Sequence, residues 1–168
     1  MNAHPLQRLH IVSALVENKA GVLARIASLF ARRGFNIHSL AVAPTNDFDL
    51  SRVTIVVDLA SAPLEQIVKQ LDKLINVVRI EELKPTDAVE RELMLLTVEK
   101  GDRPHDVLQT ALRFGGYALD FDDGHITFSF SASPERLDEC EELMQQFGIT
   151  RIQRTGRVAL PRLRNSDE

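Results

Sequence analysis

The chain has 168 residues, of which 44% are hydrophobic, and its formal net charge is −4 at pH 7. This length allows one large domain or two small ones, and the hydrophobic content supplies a core, which excludes disorder over most of the chain. A single cysteine excludes an internal disulfide, a thiolate zinc cage and an iron–sulfur cluster. The acidic balance disfavours nucleic-acid binding. Because there is no long apolar run and no apolar signal core in residues 1–8, we expect a cytoplasmic protein without a membrane span.

The first half of the chain predicts the order strand, helix, strand, strand, helix, strand. Residues 9–16 form the first predicted strand, and residues 21–33 form a helix because their apolar side chains recur at helical spacing. A second predicted helix begins at Ser61 and Pro63, and its apolar stripe extends to Ile75. The other predicted strands of this half are residues 36–43, 51–59 and 77–83.

The second half repeats this order after a polar break at Lys84-Pro85-Thr86-Asp87. A helix begins at Pro104, and Asp122-Asp123-Gly124 predicts the turn of a hairpin. The last helix follows Ser133-Pro134 and carries Cys140 on its apolar stripe, which predicts a buried structural thiol. The predicted strands of this half are residues 92–99, 117–121, 126–130 and 149–155. The break predicts two domains, residues 1–84 and residues 85–168.

The repeated element order predicts the fold class. Strand, helix, strand, strand, helix, strand is the order of ferredoxin-like units, so we expect an α+β protein of two consecutive βαββαβ units. In each unit, two helices cover one face of an antiparallel sheet. The first sheet has apolar residues at both odd and even positions, which predicts that its other face or its edge is also covered. A terminal segment, the second domain or a second copy of the chain could provide this cover.

Catalytic and metal-binding motifs are not evident. The five histidines have neither metal-ligand spacing nor a motif with a carboxylate, so we interpret them as surface or strand residues. No nucleophile elbow, phosphate-binding loop or dinucleotide fingerprint is present. We therefore expect neither a catalytic residue nor a metal or cofactor on this chain.

The segment that joins the first strand to the first helix suggests a ligand site. The side chain of Asn18 is placed to cap the helix, and Gly21 lets a ligand approach the backbone without a Cβ in the way. Unpaired N–H groups in the first helical turn suit a small carboxylate. The alternative is a simple Asn-capped helix. Asn36, an amide among apolar neighbours, is a second candidate ligand anchor.

The end of the chain is rich in arginine, with no acidic residue among them. Such a run is either solvated or docks on an acidic partner surface. Its members are Arg151, Arg154, Arg157, Arg162 and Arg164.

These segments resemble one family. Residues 16–25 and 29–37, with Gly21 and Asn36 among them, are similar to the ACT domain of acetolactate synthase small subunits. The resemblance continues through most of the chain and makes the first βαββαβ unit an ACT domain. The further similar stretches are residues 39–45, 50–55, 65–74, 89–93 and 154–160.

The resemblance implies a regulatory subunit that is not catalytic by itself. In this family, the small subunit activates a large catalytic subunit that uses thiamine diphosphate, Mg²⁺ and FAD, and it confers feedback inhibition, usually by valine. The family's effector sites lie between the ACT domains of two small subunits, which implies a homodimer. His38 stands where the family commonly has an acidic residue. The implied effector-binding residues are Asn18, Ala20, Gly21, Val22 and Leu23, with Asn36 and Ile37 from the neighbouring chain.

Two other function classes are open at this stage. The chain could be an amino-acid-sensing ACT module that serves another enzyme or a transcription regulator. It could also bind RNA, because the RNA-recognition fold shares this topology and presents exposed aromatic residues on its central strands. Phe128 and Phe130 are nearest to that requirement, but their positions on the strand predict that they belong to the core.

Overall fold

The computed structural model describes residues 9–58 and 64–163, which contain four α-helices and nine strands. No helix in these two ranges is both long enough and apolar enough to cross a bilayer. The helices are α1 (Val22–Arg33), α2 (Leu64–Leu71), α3 (Pro104–Arg113) and α4 (Pro134–Met144). The first strands are β1 (Leu9–Glu17), β2 (Ile37–Pro44), β3 (Leu50–Asp58) and β4 (Val77–Leu83). The later strands are β5 (Ala88–Glu99), β6 (Tyr117–Phe121), β7 (His125–Ala132), β8 (Ile149–Arg154) and β9 (Val158–Pro161).

The chain forms two compact units. The first sheet has four strands, and the second has five, because β9 also pairs with β5. The strand order is β2-β3-β1-β4 in the first unit and β6-β7-β5-β8 in the second. Each sheet arises from the order strand, helix, strand, strand, helix, strand. The predicted α+β class with two βαββαβ units is therefore confirmed.

The division between the units differs from the predicted one at the C-terminal end. The second unit comprises residues 90–156, whereas residues 157–163 pack with the first unit. Within the first unit, the backbone N–H of Arg162 donates to the carbonyl of Asp87 at 2.8 Å, and that of Arg157 donates to Ser39 Oγ at 3.0 Å. The prediction that residues 85–168 form one domain needs this correction, because the last strand is held by hydrogen bonds to residues distant in sequence.

The first sheet is covered on both faces. Helices α1 and α2 pack against alternate residues of β1 and β3, among them Val12, Ala14 and Ile55. The opposite face has its own apolar cluster, to which β9 contributes Ala159. A segment near the C-terminal end of the same chain therefore covers this face, which is one of the three alternatives predicted from the sequence. The members of this cluster are Leu9, Ile11, Val56, Leu83, Ala88 and Ala159.

The core of the second unit lies between its sheet and helices α3 and α4. Phe128 and Phe130 are buried there, as predicted from their positions on the strand, so they offer no exposed platform for RNA bases. Cys140 is also fully buried, which confirms the prediction of a structural thiol.

Helix α2 is shorter than its apolar stripe predicts. It ends at Leu71, and two tight turns follow, with hydrogen bonds from Leu74 N to Leu71 O and from Val77 N to Leu74 O. Ile75 is 89% exposed, so its assignment to the buried stripe is wrong. The predicted first residues of this helix, Ser61 and Pro63, lie outside the described residues.

The arginine-rich end is integrated into the fold. Arg154 Nη1 contacts Asp138 Oδ1 at 2.6 Å, and Arg154 Nε faces Glu92 Oε2 at 3.4 Å, all within the second unit. Arg157 is buried. The expectation of a solvated run is therefore wrong for these two arginines, because Arg157 is buried and acidic groups of the same chain neutralise Arg154. Arg164 lies outside the described residues.

Candidate functional site

The turn between β1 and α1, residues 18–21, begins the candidate site. Gly21 is the N-cap of α1 and has φ +86°, a left-handed conformation that glycine adopts without strain. The N–H of Val22 donates to Lys19 O at 3.3 Å, and that of Arg25 donates to Gly21 O at 3.0 Å. Among the described residues, the N–H groups of Leu23 and Ala24 have no acceptor. The turn therefore leaves backbone donors free at the start of a helix, those of Leu23 and Ala24 among them.

The end of α1 at this turn also lacks a compensating charge. The first turn of α1 contains no acidic residue, whereas the first turns of α2, α3 and α4 contain Glu65, Asp106 and Glu135, respectively. Because the N-terminus of a helix carries partial positive charge, this end of α1 favours a bound anion.

Asn18 does not cap the helix as predicted. Its side-chain Nδ2 donates to Phe48 O at 2.8 Å, and its backbone N–H donates to Asp49 O at 2.7 Å. Both acceptors lie in the β2–β3 loop. Asn18 is therefore bonded to the β2–β3 loop and not to the helix. The N-cap residue is Gly21, which has no side chain that could donate or accept a hydrogen bond.

A second set of contacts holds the turn from the α2–β4 loop. Asn76 Nδ2 donates to Glu17 Oε2 at 2.5 Å, and Asn76 Oδ1 accepts from Arg25 Nη1 at 2.8 Å. Lys19 Nζ lies 3.2 Å from Glu17 Oε1. The hydrogen bond from Asn76 and the proximity of Lys19 lower the pKa of Glu17 from its ordinary value of 4.5. Nothing in the local sequence predicts this role of Asn76, which is 59 residues from Glu17.

Asn36 and Ile37 lie at the opposite end of the same sheet. Ile37 pairs with Val57, which pairs with His10 on β1, whereas the turn follows Glu17. The seven steps along β1 from His10 to Glu17 span about 23 Å at the rise of a strand. Asn18 and Asn36 of one chain therefore cannot contact the same small molecule.

Neither the cleft nor the metal-ligating side chains of the described residues add to the candidate site. An open cleft of about 510 Å³ in the first unit is lined by Arg33 and neighbouring residues of α2, and it includes none of the predicted site residues. Among the described residues, no group of three or more His, Cys, Asp or Glu side chains is placed to hold a metal ion.

Comparisons with known proteins identify the family. The family described as the AHAS small subunit-like ACT domain matches residues 12–79, and the family described as the small subunit of acetolactate synthase matches residues 91–163. The acetolactate synthase small subunit of Mycolicibacterium smegmatis is 42% identical and aligns over 91% of this chain and 91% of its own. This chain belongs to the acetolactate synthase small-subunit family.

Two further members of the small-subunit family support this assignment. The probable acetolactate synthase small subunit of Methanothermobacter thermautotrophicus is 39% identical and aligns over 91% of this chain and 92% of its own. The crystal structure of the acetolactate synthase small subunit from Thermotoga maritima superposes with a TM-score of 0.85 at 35% identity, covering 94% of this chain and 99% of that one. The resemblance found in the sequence is thus confirmed. The β1–α1 turn and Asn36 both lie within the matched ACT domain.

Proposed function

We propose that this chain is the regulatory subunit of a cytoplasmic acetolactate synthase. It activates a large, thiamine-diphosphate-dependent catalytic subunit and confers feedback inhibition by a branched-chain amino acid, with valine as the first candidate. Membership of the small-subunit family supports the association with a large subunit. The observation that carries the feedback role is the β1–α1 turn, whose free donors at an uncompensated helix end suit a carboxylate.

The effector's carboxylate is proposed to bind the backbone N–H groups near Gly21 and Leu23. The ammonium group needs acceptors. The side-chain oxygen of Asn18 is one, because its Nδ2 is already committed to the β2–β3 loop. Ala20 and Val22 complete the proposed contacts of the turn. The hydrophobic side chain of the effector lies beside Leu23, which is 42% exposed at the start of α1.

Asn36 and Ile37 are proposed to come from a second chain. Strand β2 is an edge strand, and β2 runs parallel to β1 with β3 between them. If two copies pair antiparallel along β2, Asn36 of one chain comes to the end of the sheet where the other chain has its β1–α1 turn. The register thus supports a homodimer in which each site draws on both chains.

Thiamine diphosphate, Mg²⁺ and FAD are proposed to bind to the large subunit. The regulatory effect then requires the effector to prefer one arrangement of the complex. A coupling of about 1–3 kcal/mol changes activity or affinity about 5- to 150-fold, which is sufficient for feedback control.

The test uses the reconstituted enzyme and a charge placed in the turn. We expect the chain to co-purify with the large subunit, to raise its activity, and to make that activity sensitive to valine. Gly21→Asp places a carboxylate where the effector's own carboxylate is proposed to bind, so valine inhibition should be lost.

Gly21→Ala is the matched control. It introduces the same backbone strain, about 1–2 kcal/mol for a side chain in the left-handed region, without the charge. A Cβ at this position meets nothing within 4 Å, so alanine fits. Alanine should weaken inhibition less than aspartate does, because it adds a Cβ but no charge. Undiminished valine inhibition in the aspartate variant would refute the placement, and failure of the chain to associate with the large subunit would refute the function.

A further inference from the structure

The loop between α2 and β4 reaches both ends of the β1–α1 turn through one residue. Asn76 accepts a hydrogen bond from the Glu17 N–H at its carbonyl oxygen, at 2.9 Å. Its side chain donates to the Glu17 carboxylate and accepts from the Arg25 guanidinium. Glu17 is the last residue of β1, and Arg25 is in the first turn of α1. Asn76 therefore joins the strand that enters the turn to the helix that leaves it.

The residues between these two anchors carry the proposed effector contacts. Asn18 fixes the turn to the β2–β3 loop, but it has no hydrogen bond to α1 among the described residues. Gly21 has the widest range of backbone conformations of any residue type, so local geometry alone does not fix the direction of the first helical turn. The Asn76 contacts add a restraint to the core packing of α1, because they tie the Arg25 guanidinium to Glu17.

We propose that Asn76 is a positioning residue for effector binding, which holds the free N–H groups of Leu23 and Ala24 in the orientation that receives the effector's carboxylate. This role rests on the proposed function of the turn. Asn76 acts through Glu17 and Arg25 and does not itself touch the effector.

Asn76 is a hydrogen-bond donor to one partner and an acceptor from the other, and this difference makes the proposal testable. The Asn76 amide donates to a carboxylate on one side and accepts from a guanidinium on the other. Asn76→Asp preserves an acceptor for Arg25 but sets a second carboxylate against Glu17. The two like charges repel, so Glu17 moves away and the restraint at the end of β1 is lost.

The experiment measures valine binding by calorimetry and amide hydrogen exchange of the ligand-free chain. For Asn76→Asp, we expect an affinity about tenfold weaker and faster exchange of the hydrogen-bonded N–H groups of Glu17 and Arg25. Glu17→Gln is the control, since its side-chain oxygen still accepts from Asn76. It should bind valine nearly as the wild type does. Binding is measured well below the melting temperature of every variant, so that all chains are folded.

The double variant E17Q/N76D tests whether the lost hydrogen bond between residues 17 and 76 causes the weaker binding. Its glutamine donates to the new aspartate, which restores the hydrogen bond with donor and acceptor exchanged, and Arg25 retains its acceptor. Recovery of both affinity and exchange protection supports the inference. If N76D binds valine as tightly as wild type, or if the double variant stays as weak as N76D, Asn76 has no positioning role. If the wild-type chain binds no branched-chain amino acid, the proposed function fails, and the exchange data still report whether Asn76 restrains the turn.

Discussion

Cys140 shows how burial controls the chemistry of a single residue. The thiol is fully buried on α4, and this burial raises its pKa to about 12, although Arg136 and Arg154 act in the opposite direction. The thiolate is the reactive form, so almost none is present at neutral pH. We expect no labelling of the native chain by a thiol reagent at pH 8 and full labelling in guanidinium chloride. Rapid labelling of the folded protein would contradict the buried position.

Individual charges are harder to predict than individual apolar residues. The positions of Phe128, Phe130 and Cys140 followed from periodicity, because a residue's face on a strand or helix is a local property. The role of Arg154 depends on Glu92 and Asp138, which the fold brings to it from 62 and 16 residues away. The sequence of an arginine-rich stretch therefore predicts a solvated tail, because the acidic partners are brought to it only by the tertiary structure.

At the scale of elements, the hairpin of the second unit depends on a close approach between Gly116 and Phe130. A Cβ added to Gly116 would run into the ring of Phe130, which is fully buried. Gly116→Ala should therefore lower the free energy of unfolding by about 1–3 kcal/mol, measured by urea denaturation.

A double-mutant cycle tests the cause of this destabilisation. In a Phe130→Leu background the ring is absent, so adding Gly116→Ala should cost much less than it does in the wild type. An equal cost in both backgrounds would show that the ring is not responsible.

The elements also show which boundaries the sequence can predict. Helix α1 was predicted to within one residue, because Gly21 and Gly34 lie at its two ends and both have positive φ. Helix α2 was predicted too long, because Leu74 and Ile75 continue the apolar spacing beyond its true end. The sequence does not predict strand β9, because this short segment, which ends at Pro161, gains its structure only by pairing with β5.

At the scale of the whole molecule, the turn of the candidate site is predictable from the sequence, whereas the contacts that anchor it are not. The sequence indicates the turn itself, because a glycine between a strand and a helix is a local signal. It does not indicate the anchors of the turn, since Phe48 is 30 residues from Asn18 and Asn76 is 59 residues from Glu17. The register adds a result that no local pattern contains, namely that Asn36 is at the far end of its own sheet from the turn.

This separation predicts complementation between two defective chains. In a dimer with shared sites, each site combines the turn of one chain with Asn36 of the other. Gly21→Asp and Asn36→Ala should each abolish tight valine binding in their homodimers. In a heterodimer of the two variants, both defects fall in one site, and the other site is assembled from two wild-type halves.

The heterodimer can be purified with a different affinity tag on each chain and titrated with valine. Shared sites predict about half of the wild-type stoichiometry at wild-type affinity. A site contained within one chain predicts no recovery, because each chain then carries its own defect. Recovery would therefore place Asn36 across the dimer interface from the turn, as the antiparallel pairing of two β2 edges requires, whereas its absence would exclude that arrangement.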